Sequence, residues 1–447
     1  MLSGNRPTSP RPASRRIIPG NTLRRLHPVL QRPAGTQSNG PVLAPETGWI
    51  LQTPFGAEGL TDRPRNPGNI PRGEPIPALK TIGQAYSGRD NRLTPLRLVL
   101  AAAVLVEHAI IVTHGPELPP PLMINGWSLS YTAVNAFFIL SGFLIADSLE
   151  HRANVFTYVA SRALRILPAL VLLSLAAVLI IGPVVTSLDA AEYWTRPQTW
   201  LYPVQVLGFL DTSQGPAGIY ADLPRAGEFS ATLWTLRYEV IAYVAAAAVF
   251  FSPIPWGRWS HLVLFALTSV AFLGLALLWV EAPPLIMSAA RLSTAFTLGM
   301  VVHGWRDRLP LAPLIAAVAL PLWLLSGDAP WAEHVMNVMI ASALFWIAFA
   351  RLGGLPTASR IPDWSYGIYI WHYPIMQTLL FFHPSASPLL VGVVAVPVTT
   401  AVAAASWYWV EKPSLGHKAA FGRWLQSVWG RRRTSATDIG GRKDDQS

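Results

Sequence analysis

Cysteine is absent from the 447 residues, which removes disulfides, thiolate metal sites, a cysteine nucleophile and a chain-borne thioester from consideration. Charge is scarce as well: Asp, Glu, Lys and Arg make up 13% of the chain, against the roughly 25% of a soluble protein. Mean hydropathy is +0.36, and the two values together exclude an ordinary soluble enzyme. There is no G-x-x-x-x-G-K-[ST] phosphate loop, no G-x-G-x-x-G, no H-E-x-x-H and no G-x-S-x-G, so ATPases, dehydrogenases, zinc proteases and serine hydrolases of the usual kinds are disfavoured. The ten His are scattered without metal-ligand spacing, and no metal is expected. Repeats of the length that builds solenoids are missing too.

What is present is a series of apolar runs, each long enough to cross a hydrocarbon core about 30 Å thick. Ten spans are predicted: 94–113, 129–148, 163–184, 232–251, 260–280, 284–304, 311–326, 334–351, 364–382 and 388–410. The expected fold is therefore an all-α, polytopic transmembrane helix bundle. Residues 1–88 are rich in Pro, Arg, Gly and Ser, without periodicity and without an apolar block long enough for a signal peptide, and read as a disordered basic tail. Residues 89–413 form the membrane domain, and 414–447, with Arg431, Arg432 and Arg433, a second basic tail. Arg152, Arg162 and Arg165 follow the second span, Arg258 the fourth, Arg306 and Arg308 the sixth, and Arg351 and Arg360 the eighth. By the positive-inside rule both termini are cytoplasmic, in an inner (plasma) membrane. The long loop over about 185–231, with Asp189, Glu192, Asp211, Asp222 and Glu228, faces outward. The net charge of +10 sits in tails and loops without the interleaved aromatics of a base-stacking surface, so nucleic acid is not expected as a partner.

An ionisable side chain inside hydrocarbon costs roughly 2.5–3.5 kcal/mol and needs a partner, a water cavity or a function. Arg97 and His108 lie eleven residues apart on the first span, near three helical turns or about 16 Å of rise, so they share a face at two depths. They fit an anion site below a reactive centre, and equally a snorkelling Arg and a polar helix contact. Glu239, in Trp234-Thr235-Leu236-Arg237-Tyr238-Glu239, is a natural partner for a histidine, or neutralises charge on a neighbouring helix with Arg237. Arg291 lies in the sixth span. His372 stands among Tyr and Trp residues in the ninth, a belt able to hold a sugar or simply to pack. Arg162 and Arg165, at i and i+3, suit phosphate or a plain interfacial anchor.

The segments Arg97 to His108, Phe137-Phe138-Ile139-Leu140-Ser141-Gly142-Phe143-Leu144, Arg162-Ala163-Leu164-Arg165-Ile166-Leu167-Pro168, Leu233-Trp234-Thr235-Leu236-Arg237-Tyr238-Glu239, Ser365-Tyr366-Gly367-Ile368-Tyr369-Ile370-Trp371-His372-Tyr373-Pro374 and Val410-Glu411-Lys412-Pro413 resemble those of the acyltransferase 3 family, integral membrane enzymes that O-acylate surface glycans. The resemblance implies a membrane O-acyltransferase, acetyl being the expected group. No cofactor is bound; acetyl-CoA or another acyl-CoA is co-substrate, and a glycan or lipid-linked sugar is the acceptor. It casts His108 as catalytic, Arg97 as part of the donor or catalytic channel, Glu239 beside the catalytic centre, and Arg162 and Arg165 as donor-binding. Trp234, Arg237, Tyr238, Arg291 and His372 are substrate-side candidates; Arg237, Arg291 and Tyr238 compete to face the developing oxyanion. Asn135 departs from the family, standing where many members carry an acid. His108 acts either as general base or as an acyl-imidazole intermediate. A secondary transporter, or an assembly subunit for envelope polysaccharide, fits the intramembrane charges too, although no inverted repeat is visible.

Overall fold

A computed structural model describes residues 79–86, 91–116, 122–151, 154–279, 281–353, 357 and 361–441, with side chains as far as residue 429. The tail expected over 1–88 lies largely outside the described residues, as do Arg152, Arg360 and the side chains of Arg431, Arg432 and Arg433.

The chain is helical almost throughout. In order it forms α1 (Ile82–Ala85), α2 (Leu93–Ile111), a hairpin of β1 (Met123–Ile124) and β2 (Trp127–Ser128), then α3 (Leu129–Glu150), α4 (Val155–Ala176) and, through a π-turn at Ala177–Ile181, α5 (Gly182–Val185). There follow α6 (Ala190–Thr195), α7 (Pro197–Leu207), α8 (Trp234–Phe250), α9 (Arg258–Leu278), α10 (Pro284–Gly304), α11 (Leu314–Ser326), α12 (Ala332–Phe349), α13 (Ser365–Phe382) and α14 (Pro388–Ser406). A second π-turn, Trp407–Glu411, leads into α15 (Lys412–Gly416) and α16 (Lys418–Gly441).

A helix stands at each of the ten predicted spans, and among the described residues seven stretches have the length and apolarity to cross a membrane: α2, α3, α4 through α5, α9, α10, α12, and α14 through α15. The other three fall short for physical reasons. α8 has 17 residues and α11 has 13, while α13 carries His372, Gln377 and four tyrosine or tryptophan residues among its 18. α9 is the clearest lipid-facing helix: Val263, Leu267, Val270 and Leu277 are exposed at helical spacing.

Two boundaries differ from expectation. Residues 80–86, assigned to the tail, are ordered: Thr81 caps α1 in a reciprocal box with Gln84, and the amides of Ile82 and Gly83 bond to the carbonyls of Leu309 and Arg306. Residues 418–441, also assigned to a tail, form a 24-residue helix whose Gly422 lies against Thr157 and whose Trp429 ring meets Phe156 at the start of α4.

Small residues set the closest crossing. A Cβ at Gly142 in α3 would sit 1.8 Å from the carbonyl oxygen of Phe296, and one at Gly299 in α10 would sit 2.0 Å from that of Ile139. These reciprocal glycines bring two backbones together as in other membrane helix pairs. At the opposite end of α3, Asn125 and Gly126 turn the hairpin with positive φ of 50° and 81°, and Ser128 caps α3 by accepting from the Tyr131 amide.

Candidate active site

α2 and α13 cross so that His108 Nδ1 lies 2.8 Å from His372 Nε2, the rings stacked with centroids 5.1 Å apart. The tautomers follow from the partners. His372 Nδ1 lies 2.9 Å from the carbonyl oxygen of Ile368; a carbonyl only accepts, so Nδ1 carries a proton. In the neutral ring Nε2 is then the acceptor, His108 Nδ1 donates to it, and the lone pair of His108 remains on Nε2. Tyr373, one residue further along α13, sets its ring edge-on to His108 at 5.4 Å and donates its hydroxyl to the Glu228 carboxylate. Gln377 Nε2 donates to the carbonyls of Arg225 and Glu228, and the Tyr220 hydroxyl bonds Thr378, so the long loop over 185–231 is laced to the helix that holds His372.

His108 lines a cavity, labelled outer for its place beside Ala231 at the end of the long loop, together with Ser130, Tyr131, Trp234, Thr235 and Arg291. Arg291 Nη1 donates to Asn135 Oδ1 at 2.6 Å and its guanidinium lies 3.8 Å from the centroid of Tyr131. The acid missing at Asn135 is supplied from α12: Glu333 accepts from Asn135 Nδ2 at 2.9 Å and from the Tyr131 hydroxyl at 2.8 Å, and lies 4.0 Å from Arg291. Glu107, beside His108 in sequence, faces away and accepts from the Ser130 amide at the start of α3, where a helix N-terminus favours negative charge.

A second, inner cavity is lined by Arg97, Phe137, Ser141, Glu239, Ser365 and Tyr366 among others. Glu239 accepts from the hydroxyls of Ser141, at 3.2 Å, and Tyr243. The pairing of Glu239 with His108 expected from sequence is therefore not made; a turn of α8 separates Thr235, which reaches the outer cavity, from Glu239, which does not. His372, ranked as a substrate-side residue, holds that place.

At the inner end Asp363 Oδ2 binds Arg97 Nη1 at 2.7 Å and Arg165 Nη2 at 2.6 Å, and its Oδ1 accepts from Ser365 at 2.6 Å. Burial alone would raise the Asp363 carboxyl; Arg165 and Arg97 hold it well below the usual carboxylate range. Arg165 is enclosed further by Glu411 at 3.8 Å and by the rings of Tyr366 and Trp407. Glu411 and Trp407 belong to the second π-turn, an irregularity often found at functional sites. Arg162 points elsewhere, over the Tyr243 ring at 5.9 Å, and among the described residues no carboxylate lies within ion-pair distance of it. The expected Arg162–Arg165 pair is thus split, one cation locked and one open.

Arg237 and Tyr238 line neither cavity: Arg237 Nε donates to the Phe209 carbonyl and the Tyr238 hydroxyl to that of Leu285. They act as fasteners, and of the three oxyanion candidates Arg291 alone shares a cavity with His108. Among the described residues no three His, Asp or Glu converge as a metal cluster. Sequence reasoning missed Asp363 and Glu333, each one residue outside a predicted span. An acid at the lip of an apolar run, facing known intramembrane arginines, was the available signal.

Comparison with known proteins places the chain in a family. The model of the acyltransferase domain (acyltransferase 3) matches residues 91–408. The O-acetyl transferase of Shigella phage Sf6 is 26% identical over 336 residues, covering 72% of this chain and 96% of its own. Nodulation protein 10 of Rhizobium leguminosarum bv. viciae is 28% identical over 377 residues, covering 74% of this chain and 94% of its own. No solved structure matches. With helices fit to cross a membrane and a family match over most of its length, the chain belongs to the acyltransferase 3 family of membrane acyltransferases.

Proposed function

We propose that the protein transfers an acyl group, acetyl first among candidates, from cytoplasmic acyl-CoA to a hydroxyl of a cell-surface or lipid-linked glycan. The observation that carries this reading is the His108–His372 contact, which leaves a basic nitrogen on His108 in a cavity beside Arg291. The name of the phage relative supports acetyl. The bundle crosses an inner membrane ten times with both termini in the cytoplasm, supported by the Arg residues at alternate helix ends.

On this reading the phosphates of acyl-CoA meet Arg162 and the mouth formed by Arg97 and Arg165, which Asp363 aligns. The thioester enters the inner cavity and the glycan approaches from beneath the long outer loop. His108 Nε2 takes the proton of the sugar hydroxyl as its oxygen attacks the thioester carbonyl. The C–O bond forms, the C–S bond breaks, and the departing thiolate takes its proton from the imidazolium, so that His108 ends neutral. Arg291 faces the charge on the carbonyl oxygen. His372 holds the His108 tautomer that makes the cycle possible. Glu239 lies on the donor side, where it shapes the inner cavity with Ser141.

The test is transfer of radiolabel from acetyl-CoA to the glycan fraction in membranes carrying the native chain or His108→Ala at matched expression. Label that depends on His108 is the expected result. Equal label in both membranes removes His108 from the chemistry, and label in neither, across several acyl donors and host glycans, removes the activity.

A further inference from the structure

The two cavities share three lining residues, one from each of three helices: Val134 of α3, Thr235 of α8 and Tyr369 of α13. All three are buried. Resting on the acyltransferase reading above, we propose that this ring is a fixed aperture through which the acyl end of the donor must pass, and that its width selects the girth of the acyl group, straight chains against branched.

The argument is one of position and stiffness. The cations suited to the donor's phosphates, Arg97 among them, lie on the inner side, whereas His108 lines only the outer cavity. A thioester held by its phosphates on one side can meet His108 on the other only by threading between these three side chains. The ring does not give easily. Thr235 Oγ1 lies 3.0 Å from the Thr232 carbonyl, to which it donates, and so accepts from the Tyr369 hydroxyl at 2.7 Å; Thr232 Oγ1 donates in turn to the Tyr369 carbonyl at 3.1 Å. This circuit fastens the start of α8 to α13. Phe137 braces the Tyr369 ring edge-on at 5.8 Å. Val134, branched at Cβ and stiff at χ1, closes the third side.

A stiff constriction selects differently from a pocket. An apolar pocket gains only about 10- to 200-fold per methylene and favours the larger group, while a ring of fixed side chains excludes whatever is wider than it admits. The residues around His108 then have no need to measure the acyl chain.

Free CoA released from acetyl-CoA, isobutyryl-CoA and pivaloyl-CoA, whose acyl groups grow in width, each supplied to membranes carrying the full chain, tests the aperture. Val134→Ala and Tyr369→Phe are expected to raise the pivaloyl-to-acetyl ratio by about tenfold or more, and Val134→Leu to lower isobutyryl release further than acetyl release. Val104→Ala enlarges the outer cavity alone and is expected to leave the ratio where it was. His108-dependent release from acetyl-CoA with a ratio that none of the ring variants moves, or that Val104→Ala moves as far, overturns the aperture and leaves the acyltransferase reading standing. Absence of any His108-dependent release in the native chain overturns both.

Discussion

The chemistry proposed for His108 depends on a proton that stays in place: the one on His372 Nδ1, held by the Ile368 carbonyl. Replacing His372 with Phe keeps a ring in the stack but removes the acceptor for His108 Nδ1, so His108 is free to place its own proton on the nitrogen that must be bare. Turnover is expected to fall about 100-fold with KM for acetyl-CoA unchanged, because the donor's cations lie in the other cavity; steady-state kinetics in membranes separates the two. A fall confined to KM would place His372 in donor binding instead. The ionisable residues that line the two cavities were legible in sequence because hydrocarbon makes each buried charge conspicuous. Their partners were not. The eleven-residue spacing of Arg97 and His108 placed them on one face, but a one-dimensional pattern says nothing about which neighbouring helix presents a ring or a carboxylate. Glu239 was therefore assigned to His108 by its chemistry and by the family resemblance, whereas the crossing of α2 and α13 delivers His372.

Among the helices, hydropathy placed a helix at every expected span, since an apolar run of that length in lipid must satisfy its own backbone. It misjudged the flanks for a related reason. α1 and α16 are short of apolar residues, and what orders them is contact with Leu309 and with Thr157 and Phe156, which no window average detects. The crossing of α3 and α10 shows how little sequence such contacts need. Gly142→Ala puts a methyl group into a backbone carbonyl and is expected to cost about 1–3 kcal/mol or more, whereas Gly274→Ala on α9, with open space around it, is expected to stay within about 1 kcal/mol of native. Thermal melts of the detergent-solubilised protein compare them directly, and equal melting temperatures would contradict the close crossing.

For the whole molecule, orientation is the property that function demands and that loop cations encode. The natural chain has no cysteine, so single substitutions report sidedness without background. Ser213→Cys in the outer loop is expected to react with an impermeant maleimide on intact cells, and Ser427→Cys on α16 only after permeabilisation; both residues are exposed. The opposite pattern would invert the topology and put the donor mouth on the wrong side. Sidedness also gives α13 an unusual position. Along its length it bonds Ile166 through Tyr366, forms the aperture with Tyr369, holds His108 with His372, and ties the long loop through Gln377 and Thr378. Those contacts span about 18 Å of a single rod. A helix gripped at so many stations is a fixed post rather than a lever: the depth at which His372 meets His108 is set by fastenings on either side of it, so loosening one end leaves the other to hold the ring in place.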